Sequence, residues 1–387
     1  MTIYEMLFRE DIYHIIEQTL IQYYREVHHK QVLVKVCKSK FRNKYVIYPR
    51  LGLIIHRFPS WPVIQDIFIS FDVQNNLIRK IFAFGYITLC LLSFGLLSHR
   101  SLYISNNSIF SRNICLMPCN RKIRIFDYKL HTVDSILKDG FNDYYFKNEV
   151  NVRTKEEYSF VPSIIIFGDR WYRENIIEGR GLVRINKKYY GTYCNKVIDD
   201  LRTISTKTLH YISANIYSQQ LVDNITSKIQ FFSEKKQIVS TGYLYYILHK
   251  AESILSNSDI SIPLVFSHGD LQTGNIWVNQ TTNRVTLLDW ETAKERSLWY
   301  DCATLLLSIR RKNMFSAMVS NMNDTNIIGD LLLLDTKKDY NMKTVMATLI
   351  LEEMTFFVDE IFDLPDSLGA EIIDRFIYEM KHIKWIN

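Results

Sequence analysis

Residues 264–290, LVFSHGDLQTGNIWVNQTTNRVTLLDW, constrain this chain more than any other stretch of it. An apolar run (NIWV) and a second one ending on Asp289 flank a polar turn, which predicts a β-hairpin. The hairpin puts Asn275 at the start of one strand and Asp289 at the end of the next, with Asp270 just upstream. Asp270, Asn275 and Asp289 then converge at one edge as two carboxylates and an amide, the oxygen ligands that Mg²⁺ prefers. A phosphoryl-transfer site needs such a set. One carboxylate orients an attacking hydroxyl and accepts its proton, while the amide and the other carboxylate hold the metal that neutralises phosphate charge.

The rest of the 387 residues must build a scaffold for that edge. With 47% hydrophobic and 23% charged residues, the chain folds, and its length suggests two or three cooperating units. A net charge of +6 is too small to argue for nucleic acid. Its distribution is uneven: residues 1–80 hold 12 Lys/Arg and 7 Asp/Glu, whereas Glu352–Glu379 holds nine acids and one base. Six cysteines without a CxxC pair or a zinc-ligand spacing read as reduced, mostly buried thiols in a cytoplasmic protein. The opening residues mix acids into an amphipathic pattern, unlike a signal peptide.

From Ile81 to Ser98 the chain carries no charge, the minimum length for a membrane span. Gly85, Thr88, Ser93 and Gly95 interrupt it, and Arg79, Lys80 and Arg100 flank both ends, so the positive-inside rule assigns no orientation. The expectation is a helix packed inside the protein, its side chains nearly all buried; membrane association through this run is the alternative.

No internal repeat is visible, and the chain reads as three parts. Residues 1–107 form an N-terminal region of mixed α/β character, closed by a turn cluster at Ser105–Ser108. Residues 108–178 read as short strands (NICLMP, KIRIFDY, TVDSILK), a helix near 142–155, then PSIIIFG and WYRENII. Residues 179–387 are mostly helical outside the hairpin segment.

The segment HGDLQTGN followed by LLDWE resembles the catalytic signature of the aminoglycoside phosphotransferase and choline kinase group, small-molecule kinases with the protein-kinase fold. The resemblance implies a bilobal α+β architecture: a small antiparallel-sheet N-lobe at 108–178 and a mostly helical C-lobe at 179–387, behind an extension of unknown role at 1–107. It implies Asp270 as catalytic base, Asn275 and Asp289 as Mg²⁺ ligands, His268 as support of the loop, and Asp301 as its tether from the following helix. It also implies ATP or GTP as donor and a hydroxyl of a small molecule, a sugar, aminosugar or amino alcohol, as acceptor. His-Gly-Asp in place of His-Arg-Asp favours the small-molecule branch.

In the N-lobe, with TVDSILKDG as third strand, Lys138 is the candidate to contact the α- and β-phosphates and Glu149 its ion-pair partner. Lys147 and Lys129 compete for that role. The turn at Met117–Arg121 has no glycine, a departure from the phosphate-covering loop of protein kinases. Glu178, in ENIIEGRGL, marks the hinge whose backbone meets the adenine edge. The acidic stretch from Leu351 to Asp374, with Phe356, Phe357 and Phe362, either contributes to a pocket for a cationic acceptor or forms a solvated helix face. Two other functions remain: a kinase for a protein or lipid-linked glycan at a membrane, and a catalytically silent interaction module.

Overall fold

The computed structural model describes residues 2–362 and Tyr378, apart from 39–42, 73–76, 97, 99, 106–110, 156–157, 237–240, 257–258 and 307–339. Most of the Ser105–Ser108 turn cluster, the acidic stretch beyond residue 362 and the Phe362 side chain lie outside the described residues. The chain divides into two compact units. One comprises Met1–Gly191 with Ile276–Glu291, the other Thr192–Asn275 with Thr292–Asn387.

The first unit is built on one nine-stranded antiparallel sheet. Its strands are β1 (Val34–Lys38), β2 (Tyr45–Tyr48), β3 (Leu53–His56), β4 (Arg100–Ile104), β5 (Ile114–Pro118), β6 (Lys122–Asp127), β7 (Thr132–Leu137), β8 (Ile164–Phe167) and β9 (Trp171–Asn175), in the order β1-β4-β2-β3-β5-β6-β7-β9-β8. The N-terminal region is therefore no separate sheet: β3 pairs with β5 through Ile54 opposite Leu116. The strands expected at NICLMP, KIRIFDY and TVDSILK are β5, β6 and β7, and Cys119–Arg121 makes the first turn, where the Cys119 amide donates to the Lys122 carbonyl at 2.7 Å.

Alternation of side chains gives the sheet two apolar faces. On one, Ile123, Ile125 and Ile136 pack under helices α1 (Ile3–Met6) and α2 (Ile12–His28) through Ile12, Ile16 and Leu20. On the other, Val46, Ile55 and Cys115 meet α3 (Trp61–Phe71) and α4 (Leu77–Leu92), and Leu137 and Tyr172 meet Phe146 and Val150 of α5 (Tyr144–Lys155). A short strand β10 (Arg180–Gly181) precedes α6 (Tyr190–Thr208), which begins at the boundary of the unit.

The run 81–98 corrects one expectation. It is helical through Leu92, and no helix among the described residues is long and apolar enough to cross a membrane. Yet within α4 only Ile87 and Cys90 are buried. The helix lies on its neighbours by one side, half-burying Ala83, Phe84 and Leu91 there, and leaves the opposite arc in solvent, because one surface helix buries only the stripe that meets its neighbours.

The second unit is mostly helical. Alongside α6 it contains β11 (His210–Ser213), α7 (Ala214–Lys236), α8 (Thr241–Ser256), β12 (Ser261–Ser267), and, after the hairpin β13 (Ile276–Asn279) and β14 (Arg284–Leu287) that belongs to the first unit, β15 (Lys294–Ser297), α9 (Tyr300–Leu306) and α10 (Met342–Phe362). Strands β11, β12 and β15 form a small antiparallel sheet, and α10 packs on α7 and α8. Glu352 and Glu353 of α10 point inward, contrary to a solvated acidic face: Glu352 accepts from the Ser297 amide (2.5 Å) and Tyr217 hydroxyl (2.6 Å), Glu353 from the Tyr300 hydroxyl (2.7 Å).

Candidate active site

In the second unit β12 ends at Ser267 and the chain turns sharply. Gly269 sits at φ +83°, and a Cβ there would come within 2.2 Å of Arg296 Nη1 and 2.5 Å of the Thr292 carbonyl. Glycine is thus required both by the left-handed backbone and by space. Asp301, in the first turn of α9, holds this turn: its carboxylate accepts from the His268 amide at 2.7 Å and from the Gly269 amide at 2.9 Å. His268 is fully buried and its Nδ1 accepts from the Asp270 amide at 3.3 Å.

The Asp270 side chain remains partly exposed. Its Oδ1 accepts from Gln272 Nε2 (2.7 Å) and its Oδ2 from Asn275 Nδ2 (3.0 Å), which also donates to the Asp270 carbonyl (2.8 Å). Asn275 spends its amide nitrogen on Asp270, so its amide oxygen is the atom a hard cation would take. The carboxylate is aimed by two neutral donors, Gln272 and Asn275.

The first unit holds a second cluster of charged groups. The hairpin β13–β14 forms as expected, with Ile276 opposite Leu287, so the chain enters from Asn275 and leaves toward Asp289 at one end. Asp289 adopts φ +67°, a conformation that Asp tolerates better than most residues. Trp290 anchors the turn by donating from Nε1 to the Leu287 carbonyl at 2.8 Å.

Lys122, at the start of β6, is buried among three carboxylates: Glu149 of α5 at 2.5 Å, Asp289 at 3.0 Å and Glu291 at 3.0 Å. Burial works against its charge, but Asp289, Glu149 and Glu291 outweigh it and raise the Lys122 pKa well above the usual value. For Glu149, the Lys122 and Arg153 cations overcome burial and hold the carboxyl below its usual range. Burial instead lifts Glu291, although Lys122 and Arg121 oppose it. Arg121 meets Glu291 at 2.8 Å and stacks over Tyr145, and Arg153 bridges Glu149 and Glu174. Arg124, on the same face of β6, approaches Asp289 at 3.8 Å.

Oxygen atoms of Glu149, Asp289 and Glu291 lie within 4.8 Å of one another. Lys122 Nζ contacts all three, so the set is committed to an ammonium; Asp289, the most exposed of them, is the carboxylate that a hard cation such as Mg²⁺ could also reach.

The structure does not bring Lys138 to Glu149. Alternation decides it: Val133, Ser135 and Leu137 of β7 face α5, so Lys138 goes to the opposite face, under α1 and α2. There Lys138 meets Glu10 at 2.6 Å and the Asn120 carbonyl at 2.9 Å. The lysine paired with Glu149 is Lys122, which the sequence reading missed. Its signal was present in Lys122-Ile123-Arg124-Ile125, where the isoleucines mark the core face of α2 and the cations the opposite one. Lys147 pairs with Asp143 at the start of α5, and Lys129 lies within the β6–β7 turn.

Glu178 is exposed. Beside it Gly179, at φ +126°, packs so closely on β13 that a Cβ would meet the Val278 carbonyl at 2.4 Å, and Trp277 Nε1 donates to the Ile177 carbonyl at 3.1 Å. The segment is thus fastened to the hairpin.

Residues 193–324 match the family model of choline/ethanolamine kinase. The chain is a small-molecule kinase. No curated protein matches it by sequence. Among solved structures, an ethanolamine kinase of Plasmodium vivax is similar at 12% identity and a TM-score of 0.49, over 84% of this chain and 92% of that one. A choline kinase of Cryptosporidium parvum Iowa II follows at 14% identity and 0.46, over 72% and 92%. An aminoglycoside phosphotransferase of Streptomyces rimosus gives 12% and 0.40, over 62% and 92%.

Proposed function

We propose that this kinase moves the γ-phosphoryl group of ATP to the hydroxyl of an amino alcohol or a related small molecule. Asp270 carries the reading, because its carboxylate is oriented by Gln272 and Asn275 on a turn pinned by Asp301. The acceptor hydroxyl oxygen attacks the γ-phosphorus, the bond to the β–γ bridging oxygen breaks, and the proton goes to Asp270 while ADP leaves. Asn275 and Asp289 are the residues that would hold Mg²⁺, which when bound neutralises charge on the phosphates. Lys122, fixed by Glu149, takes the role first considered for Lys138, facing the α- and β-phosphates. His268 and Asp301 keep the turn in place, and the backbone around Glu178 supplies the adenine contact. The family match at residues 193–324 supports an amino alcohol over a sugar as acceptor.

The test is transfer of label from γ-labelled ATP with Mg²⁺ to choline, ethanolamine and an aminoglycoside, with wild type and Asp270→Asn. Wild type should label at least one acceptor, and Asp270→Asn should lose transfer by on the order of a thousandfold or more while still binding ATP. Full transfer by Asp270→Asn, or ATP turnover without any acceptor hydroxyl, would overturn it.

A further inference from the structure

The six most exposed large apolar side chains on α4 are Leu77, Ile78, Ile81, Phe82, Leu89 and Leu92, each at least 60% in solvent. At 100° per residue they fall within an arc of about 140°, which holds no charged residue. Gly85 and Thr88 complete that arc, and Thr88 spends its hydroxyl on the Phe84 carbonyl. Past the last turn Leu96 is 79% exposed. The opposite side of the helix is committed to the fold: Ile87 and Cys90 join the core under α3, and the Tyr48 hydroxyl donates to the Cys90 carbonyl at 2.9 Å. An apolar stripe this long and free of charge exceeds the scattered apolar residues of an ordinary surface.

Cations border it. Arg79 is exposed on the helix itself, and exposed Arg50 lines a pocket of about 290 Å³ with Leu51, Phe71, Ala83, Tyr86 and Ile87. Lys80 and Arg180 share Asp72, and Arg184 lies over Phe71, depressed in pKa by burial and by the Arg180 cation. Arginines and lysines thus outnumber acids around the α3–α4 pair. Two copies of the chain meeting through this face would bring Arg50 and Arg79 toward their own counterparts. An anionic surface complements them.

We propose that α4 lies in the interface of an anionic phospholipid bilayer, its apolar arc among the acyl chains and Arg50 and Arg79 at the phosphates. The geometry is that of a helix lying in the membrane plane, since sixteen residues packed along the protein on one side cannot span. The inference does not depend on the phosphoryl-transfer reading.

The experiment is flotation of the full-length protein with vesicles of phosphatidylcholine alone or mixed with phosphatidylserine. Wild type should float with the mixed vesicles, and high salt should weaken this. Ile81→Glu with Phe82→Glu should reduce partitioning by on the order of a hundredfold. Arg50→Glu and Arg79→Glu should each reduce it by about fivefold or more. The positions are exposed, so the variants should keep the wild-type unfolding temperature and any transfer activity. Wild type that stays unbound with both vesicles, or floats equally with both, would overturn the proposal. So would a dimer in sedimentation equilibrium that Ile81→Glu with Phe82→Glu dissociates without any vesicle binding, which would give the face to a second copy.

Discussion

Lys122 and Lys138 stand one hairpin apart in the same sheet, each almost wholly buried and each paired with a carboxylate. Lys122 faces α5, where three carboxylates from two separate sequence segments converge on one ammonium. Lys138 faces the N-terminal helices and has one carboxylate, Glu10, beside the Met6 sulfur and the Phe141 ring. The first cluster is an extended network, with Arg121 on Glu291, Arg153 on Glu149 and Arg124 near Asp289, and it reaches solvent at Asp289, whose side chain is 31% exposed. The second is a closed pair that fastens the N-terminal helices to the sheet. Burial and a short ion pair alone therefore do not separate the two lysines; the number of partners and the opening to solvent at Asp289 do.

The sharpest way to break this comparison is to remove each ammonium. Lys122→Met should lower kcat/KM for ATP by on the order of a thousandfold, while Lys138→Met should leave it within about threefold, measured by steady-state transfer on folded protein. Equal losses would erase the distinction. Stability should move too. Lys138→Met strands Glu10 against apolar neighbours and should cost about 3 kcal/mol in denaturant unfolding, whatever its effect on catalysis.

The partners give a smaller contrast. Glu149→Gln keeps the shape of the side chain but weakens its hold on Lys122, so transfer should fall by about tenfold. Glu10→Gln should leave transfer unchanged. A loss with Glu10→Gln as large as with Glu149→Gln would mean that the two faces are coupled.

The smallest effect is in alkaline solution. The folded pKa of Lys122 is raised, so its contribution is fully present below the ordinary 10.5 and is lost as pH rises through the folded value. The folded pKa of Lys138 is lowered, chiefly by burial, so the folded state releases that proton first. Between its folded value and 10.5 stability rises with pH. Unfolding free energies followed from that folded value to well above 10.5 should lose the decline above 10.5 in Lys122→Met and the rise up to 10.5 in Lys138→Met. Matching profiles for the two variants would contradict the opposite signs.

Most of the fold was legible along the chain, because strands β5 to β9 and helix α5 follow from local apolar periods and turn residues. The turn at His268–Asp270 was legible for a related reason. Asp270, Asn275 and Asp301 act within one short segment of chain, where backbone turns and a single helix start fix which atoms meet. Lys122 was not, since its pairing with Glu149 depends on which face of β6 receives α5, and that is set by packing far along the sequence.

The run at 81–98 shows the same division. Its amino acids determined that it is uncharged and helical as far as Leu92; they did not determine that, within α4, a sheet and α3 would bury only Ile87 and Cys90 and leave the apolar arc from Leu77 to Leu92 in solvent. By itself the sequence determined the local chemistry: a glycine where Gly269 must turn left-handed, carboxylates and amides within reach of their own backbone, and alternating apolar residues in each strand. Tertiary structure alone decided the assignments that depend on parity and coverage, namely Lys122 against Glu149, Lys138 against Glu10, and the open face of α4. Local interactions are encoded in neighbouring residues, whereas the face a side chain presents to a distant element is fixed only when the whole sheet has closed on its helices.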